Sequence, residues 1–293
     1  MAQAKIIDGK HVADELRKGI SNRVEALKSN GVIPGLAVVM AGEDPASQVY
    51  VRMKGKACEK LGITEETITL SAETSQDELV HLIEDLNNDD RFHGILVQMP
   101  LPDHMNPSTV IQAIDPRKDV DGLHPVNVGK LVLEETGFLP CTPHGILKLL
   151  EHYDIDTEGK NAVVIGRSNL VGKPITNLLY QKKPGIGNAT VTICHTRTKD
   201  LAQHTRRADL LVVAAGAAKA IKADMIKPHA VVVDVGVNRV DDPTSEKGYK
   251  LVGDVDFETA QNVADYITPV PGGVGPMTIT MLLHNTVWAA EQR

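Results

Sequence analysis

The sequence predicts an α/β protein of two domains, each built on a parallel sheet. Short runs rich in Val, Ile and Ala, such as GLAVVMAG at 35–42, GILVQMPLP at 94–102 and AVVVDVG at 230–236, alternate with longer stretches of helical period. Strands separated by helices of this length join through right-handed crossovers into parallel sheets. Aromatic residues make up only 3% of the chain while hydrophobic residues make up 42%. The core is therefore aliphatic, as suits strands buried on both faces. A length of 293 residues is enough for two domains of ordinary size, each with its own core.

Composition also narrows the function. A net charge of −7 argues against a nucleic-acid partner, which would call for a basic excess. No apolar run approaches membrane-spanning length, and the opening MAQAKIIDGK lacks the apolar core of a signal peptide, so a soluble, cytoplasmic protein is expected. Cys58, Cys141 and Cys194 are odd in number and far apart, with no CxxC spacing, and read as buried thiols.

In chain order, Asp8 opens a helix carrying Val12, Leu16, Val24 and Leu27, stopped by Gly31. The strand at 35–42 empties into the turn-rich GEDPAS, which delivers a second helix. There Tyr50, Met53, Ala57 and Leu61 recur at helical spacing before Gly62. TITLS reads as a strand, Ser75 and Glu78 as a capping box for a helix through Leu79, Ile83 and Leu86, and GILVQMPLP as a third strand. The loop DPRKDVDG at 115–122 follows, and residues 123–139 are expected to cross between domains. Thr142 then caps, and Pro143 begins, a helix through Ile146, Leu149 and Leu150. Further strands fall at 161–165, 189–194, 209–216 and 230–236. The loop PVPGGVGP leads into a terminal helix from Pro276 whose apolar MTITMLL implies burial against the first domain.

Two places carry chemistry. Tyr50 and Lys54 lie four residues apart on one helix, so a phenol and an amine can grip a flat substrate and move a proton beside it. Spacing alone favours the plainer roles, a core-edge tyrosine and a solvated lysine. Parallel sheets bind ligands at the carboxyl ends of their strands, which brings Gln98 near the loop feeding that pair. Asp119 and Asp121 are either solvated loop residues or functional. No His or third carboxylate has ligand spacing beside them, so no metal is expected.

The second place is GRSNLVGKP after the strand at 161–165, a dinucleotide turn of altered spacing. Ser168 stands where the second glycine usually does, and the third glycine, Gly172, comes one residue late. This predicts a Rossmann-like second domain. The next strand ends in His195, Thr196 and Arg197, offering a hydroxyl and a guanidinium in place of the acid that would accept ribose hydroxyls; NADP is favoured over NAD. Arg167 is a second candidate partner for phosphate.

YVRMKGKACEKLGI, GILVQMPLP, DPRKDVDG, CTPHGIL, GRSNLVGKP, DVGVNR and PVPGGVGPMT follow one another along nearly the whole chain. In that order they resemble the bifunctional methylenetetrahydrofolate dehydrogenase and methenyltetrahydrofolate cyclohydrolase family. The resemblance implies that Lys54 is the acid or base of the cyclohydrolase step, supported by Gln98, with Tyr50 packed along the pterin and aminobenzoate rings and Asp121 binding the pterin. It implies that Gly166, Arg167 and Ser168 hold NADP with Thr196 and Val237, beside Arg197, and that Pro271, Gly272 and Gly273 meet the substrate. Residues 1–140 with the terminal helix 276–293 would form a folate-binding catalytic domain, and 141–275 an NADP-binding domain, with a cleft between. Tetrahydrofolate derivatives are then the partners, and a homodimer the expected assembly. The longer loop QKKPGIGN, 181–188, departs from the family pattern. A short-chain dehydrogenase also has a YxxxK pair, but there the nucleotide turn comes first. A dinucleotide-sensing regulator would bind cofactor without turnover.

Overall fold

The computed structural model describes residues 3–245 and 248–293. The chain forms two compact units. One comprises Glu15–Cys141 with Ile279–Arg293 and contains Lys54; the other comprises Thr142–Thr278 with the chain up to Asp14 and contains Gly166. In order, the chain makes β1 (Lys5–Ile6), α1 (Gly9–Ser29), β2 (Gly35–Ala41), α2 (Pro45–Leu61), β3 (Thr64–Leu70), α3 (Gln76–Asn88), β4 (Gly94–Val97), α4 (Pro107–Ala113), α5 (Pro125–Val132) and α6 (Cys141–His152). Then come β5 (Asn161–Ile165), α7 (Gly172–Tyr180), β6 (Thr190–Cys194), α8 (Leu201–Thr205), β7 (Leu210–Val213), β8 (Val231–Asp234), β9 (Asn238–Asp241), β10 (Tyr249–Val252), α9 (Phe257–Ala260), β11 (Tyr266–Ile267) and α10 (Val274–Glu291).

In the Lys54 unit, β2 is the centre of a parallel sheet ordered β3-β2-β4. Every residue of β2 is buried, and its period of two feeds two cores. Leu36, Val38 and Met40 pack with Val24, Val51, Cys58, Leu282 and Leu283. Ala37, Val39 and Ala41 pack with Leu79, Ile83, Leu86 and Val110. The capping box expected at Ser75 and Glu78 is formed.

The Gly166 unit carries a six-stranded parallel sheet ordered β1-β11-β8-β7-β5-β6. Strand order reverses at β5, which lies between β6 and β7. The carboxyl ends there form the crevice at which such sheets take ligands. β9 and β10 form a separate antiparallel ribbon that the sequence did not announce, since VNRV offers only a half-buried alternation.

Several expectations are corrected. Residues 3–14 belong with the Gly166 unit, because the short β1 pairs with β11 and the Asp8 amide donates to Tyr153 Oη at 2.9 Å. Residues 123–139 do not cross between units but stay in the Lys54 unit. There Asn127 of α5 donates to Asp119 Oδ2 at 2.8 Å and Phe138 stacks edge-on against Trp288, 4.7 Å between centroids. α6 starts at Cys141 and α10 at Val274, each two residues before the proline expected to begin it; a proline within the first turn forfeits no intrahelical bond. The Thr142 hydroxyl, expected as a cap, instead pairs with the Thr278 hydroxyl at 2.8 Å. The strand at 94–102 stops at Val97. The 181–188 loop folds onto Thr157, whose hydroxyl accepts the Gly187 amide at 2.8 Å. Among the described residues no helix is long and apolar enough to cross a membrane.

Candidate active site and nucleotide crevice

α2 is fixed at both ends. The Asp44 side chain accepts the Ser47 amide at 2.7 Å, and Gly62 closes the helix in the left-handed conformation, φ 68°. The stripe the helix buries differs from the one its apolar spacing predicts: Ser47, Val51, Lys54 and Cys58 face inward, while Tyr50 and Met53 are exposed. A lysine and a serine in the buried stripe hide it from a hydrophobicity reading. Lys54 is 8% exposed, so the surface role that spacing favours does not hold.

The Lys54 amine donates to Gln98 Oε1 at 2.9 Å. Gln98 follows β4; its amide donates to Val39 O at 2.8 Å and its side-chain Nε2 to Met99 O at 2.7 Å, so the acceptor is held in place. Burial pushes the amine's pKa below the 10.5 of an ordinary lysine, against the opposing pull of the Asp121 carboxylate. Burial pushes the Cys58 thiol up to about 12 and Cys141 well above its usual range, so neither is a thiolate nucleophile.

The loop 115–122 is not solvated throughout. Buried Asp119 accepts the amides of Leu123 and His124 at 3.1 and 2.8 Å as well as Asn127, and burial raises its pKa to about 6. Asp119 therefore fastens the loop, and half-buried Asp121 is the carboxylate that acts on Lys54. Asn285 of α10, which sequence reasoning missed, donates to Val120 O at 2.8 Å and Leu139 O at 3.1 Å, bracing the residue beside Asp121. An asparagine inside the apolar run from Met277 to Trp288 was the signal, since a buried amide needs partners. Tyr50, 38% exposed, stands one turn before Lys54.

In the Gly166 unit, β5 runs into a tight turn. Gly166 has φ 116°, and a Cβ there would lie 2.2 Å from Ala214 O, just beyond β7. A Cβ on Gly172 would lie 2.2 Å from Gly166 O and 2.7 Å from Arg167 N. The late third glycine thus performs the close-packing task, and the extra residue is absorbed where Ser168 Oγ accepts the Val171 amide at 3.1 Å. Arg167, Ser168, Thr196 and Arg197 are exposed at the ends of β5 and β6, and Val237, 46% exposed, follows β8. A glycine cradle, the first turn of α7 and two guanidiniums make a donor set that fits a phosphorylated dinucleotide. Gly272, φ 108°, accepts the Lys10 amide at 3.1 Å; it lies with Pro271 and Gly273 in the Gly166 unit, not in the unit that holds Lys54.

Both regions fall within matches to known families. The pattern described as "Tetrahydrofolate dehydrogenase/cyclohydrolase, catalytic domain" matches residues 7–121, and "Tetrahydrofolate dehydrogenase/cyclohydrolase, NAD(P)-binding domain" matches residues 140–293. The chain belongs to the tetrahydrofolate dehydrogenase/cyclohydrolase family. It is similar to "Bifunctional protein FolD" of Bacillus licheniformis, 56% identical over 289 residues that cover 99% of this chain and 98% of the relative. Among solved structures it is similar to the bifunctional FolD methylenetetrahydrofolate dehydrogenase/cyclohydrolase of Campylobacter jejuni, with a TM-score of 0.93 and 50% identity over 99% of each chain. It is also similar to the Trypanosoma brucei dehydrogenase-cyclohydrolase complexed with NADP cofactor and inhibitor, with a TM-score of 0.94 and 39% identity over 100% of this chain and 99% of that one. Both family regions are continuous in sequence, whereas the compact units of this family member exchange their ends through α1 and α10.

Proposed function

We propose that Lys54 is the acid–base group of a cyclohydrolase, with Gln98 orienting its amine, Asp121 binding the pterin and Tyr50 lying along the pterin and aminobenzoate rings. The enzyme oxidises 5,10-methylenetetrahydrofolate to the 5,10-methenyl form with NADP and hydrolyses that to 10-formyltetrahydrofolate, within one-carbon folate metabolism. The observation that carries the assignment is a buried lysine amine bonded to a fixed glutamine oxygen.

Burial matters because the methenyl intermediate is a cation. An amine pushed toward its neutral form does not repel it and can accept a proton. Lys54 takes one proton from the attacking water and returns it to N5 as the bond from the former methenyl carbon to N5 opens; the proton left on the new hydroxyl goes to solvent as that oxygen becomes the formyl carbonyl. Gln98 Oε1 holds the amine whichever form it is in, and Asp121 tempers the loss of its charge. Hydride transfer needs less: the folate nitrogens stabilise the developing cation, so the chain supplies position more than acid or base. NADP, when bound, provides the hydride acceptor. Gly166, Arg167, Ser168, Thr196, Arg197 and Val237 are the residues proposed to hold it, with Pro271, Gly272 and Gly273 proposed at the folate. The proposal extends to a homodimer acting in the cytosol, which sedimentation of the purified protein and fractionation of its host test.

The direct test is Lys54→Gln, which removes the proton-transfer group. Loss of a positioned acid–base group costs roughly 10²–10⁴-fold. Cyclohydrolase turnover of methenyl-folate should fall by that factor while dehydrogenase turnover and folate binding persist. Full hydrolysis by the variant would remove Lys54 from the mechanism.

A further inference from the structure

We propose that Asp254 is a positioning residue for the cofactor, its carboxylate tying the loop after β7 to the loop after β8 and so setting the shape of the nucleotide crevice. Asp254 is fully buried. Its Oδ2 accepts the amides of Ala215 and Gly216 at 2.6 and 2.9 Å. Its Oδ1 accepts the Ala217 amide at 2.9 Å and the Asn238 side-chain amide at 2.8 Å. Three consecutive amides of one loop and one side chain of the other thus share a single carboxylate.

The fit leaves no slack. A Cβ on Gly236 would lie 2.2 Å from Asp254 Cγ, so the carboxylate fills the space beneath that glycine. Asp234, the last residue of β8, fixes Asp254 in turn by accepting the amides of Gly236, Asp254 and Val255 at 2.9, 3.0 and 2.9 Å. Val237 lies between Gly236 and Asn238, each held by one of the two carboxylates, which leaves its own side chain turned outward. The other loop begins at Ala214, the residue against which Gly166 packs. Both walls of the crevice therefore hang on Asp254, although it lies beneath them and offers no free oxygen to a ligand.

The inference rests on reading this crevice as the NADP site, and the two reactions of the enzyme allow each idea to fail separately. Asp254→Asn keeps the size but turns an amide group toward backbone donors, which misplaces the loops. In the purified full-length protein the KM for NADP should rise roughly tenfold or more, equivalent to about 1.4 kcal/mol. The kcat at saturating NADP should change less than about threefold, and hydrolysis of methenyl-folate without NADP less than about twofold. Asn238→Ala removes one of the four bonds, leaves the buried carboxylate in place, and should raise the KM for NADP about threefold. Arg197→Ala reports on the crevice itself and should weaken NADP but not NAD. The inference is overturned if Asp254→Asn leaves the KM for NADP at the wild-type value, or if both activities fall in proportion, as a merely structural role would require. If Asp254→Asn does not fold, an unchanged KM in Asn238→Ala overturns it. If Arg197→Ala is silent as well, the crevice reading has failed and the inference falls with it.

Discussion

Alanine at position 172 is a sharp test of the nucleotide turn. Its Cβ would stand 2.2 Å from Gly166 O, 2.5 Å from Gly166 C and 2.7 Å from Arg167 N. All three are backbone atoms of the same turn, so no side-chain rotation relieves the overlap. Ordinary contact begins at 3.4 Å, and the closest pair falls short of that by about 1.2 Å. The end of β5 and the start of α7 must part by a comparable distance, and misplacing binding groups by about 1 Å can cost on the order of 10²-fold. Gly172→Ala should therefore raise the KM for NADP in the dehydrogenase assay by about 10- to 100-fold, or roughly 1.4–2.8 kcal/mol. Overpacking of this kind costs about 1–3 kcal/mol of stability, so the melting temperature should fall by a few degrees. Hydrolysis of methenyl-folate in the absence of NADP should hold, because Lys54, Gln98 and Asp121 all belong to the other unit. Wild-type NADP kinetics in Gly172→Ala would refute the argument that this glycine shapes the cofactor turn.

Two further outcomes follow from the Lys54 unit. The cyclohydrolase rate should rise with pH as the amine loses its proton, with an inflection below 10.5, since burial lowers that pKa; because Asp121 favours the charged form, Asp121→Asn should move the inflection to lower pH. An inflection that does not move in that variant would show that the two groups do not interact. Asn285→Ala leaves the Leu139 carbonyl without its side-chain donor and the Val120 carbonyl with only the weak Cys141 thiol at 3.4 Å. It should cost about 1–3 kcal/mol in urea unfolding, and a variant as stable as the parent would show that water takes over both bonds.

The sequence by itself determined the strand–helix alternation, the parallel sheets and the order of the motifs, because these follow from local periodicity and turn chemistry. It also marked Lys54, Gln98 and the glycine turn as special. It misjudged α2, whose apolar stripe at Tyr50 and Met53 turned out to be the exposed flank. Only the tertiary structure decided that Lys54 is buried and that its amine meets Gln98, 44 residues away along the chain. Likewise Asp119 and Asp121 are indistinguishable as letters, yet one fastens a loop and the other acts on the lysine, because three donors converge on the first. The placement of residues 3–14 and the role of Asp254 were equally hidden. Each rests on hydrogen bonds between segments distant in sequence, and no local pattern records a partner that folding alone brings near.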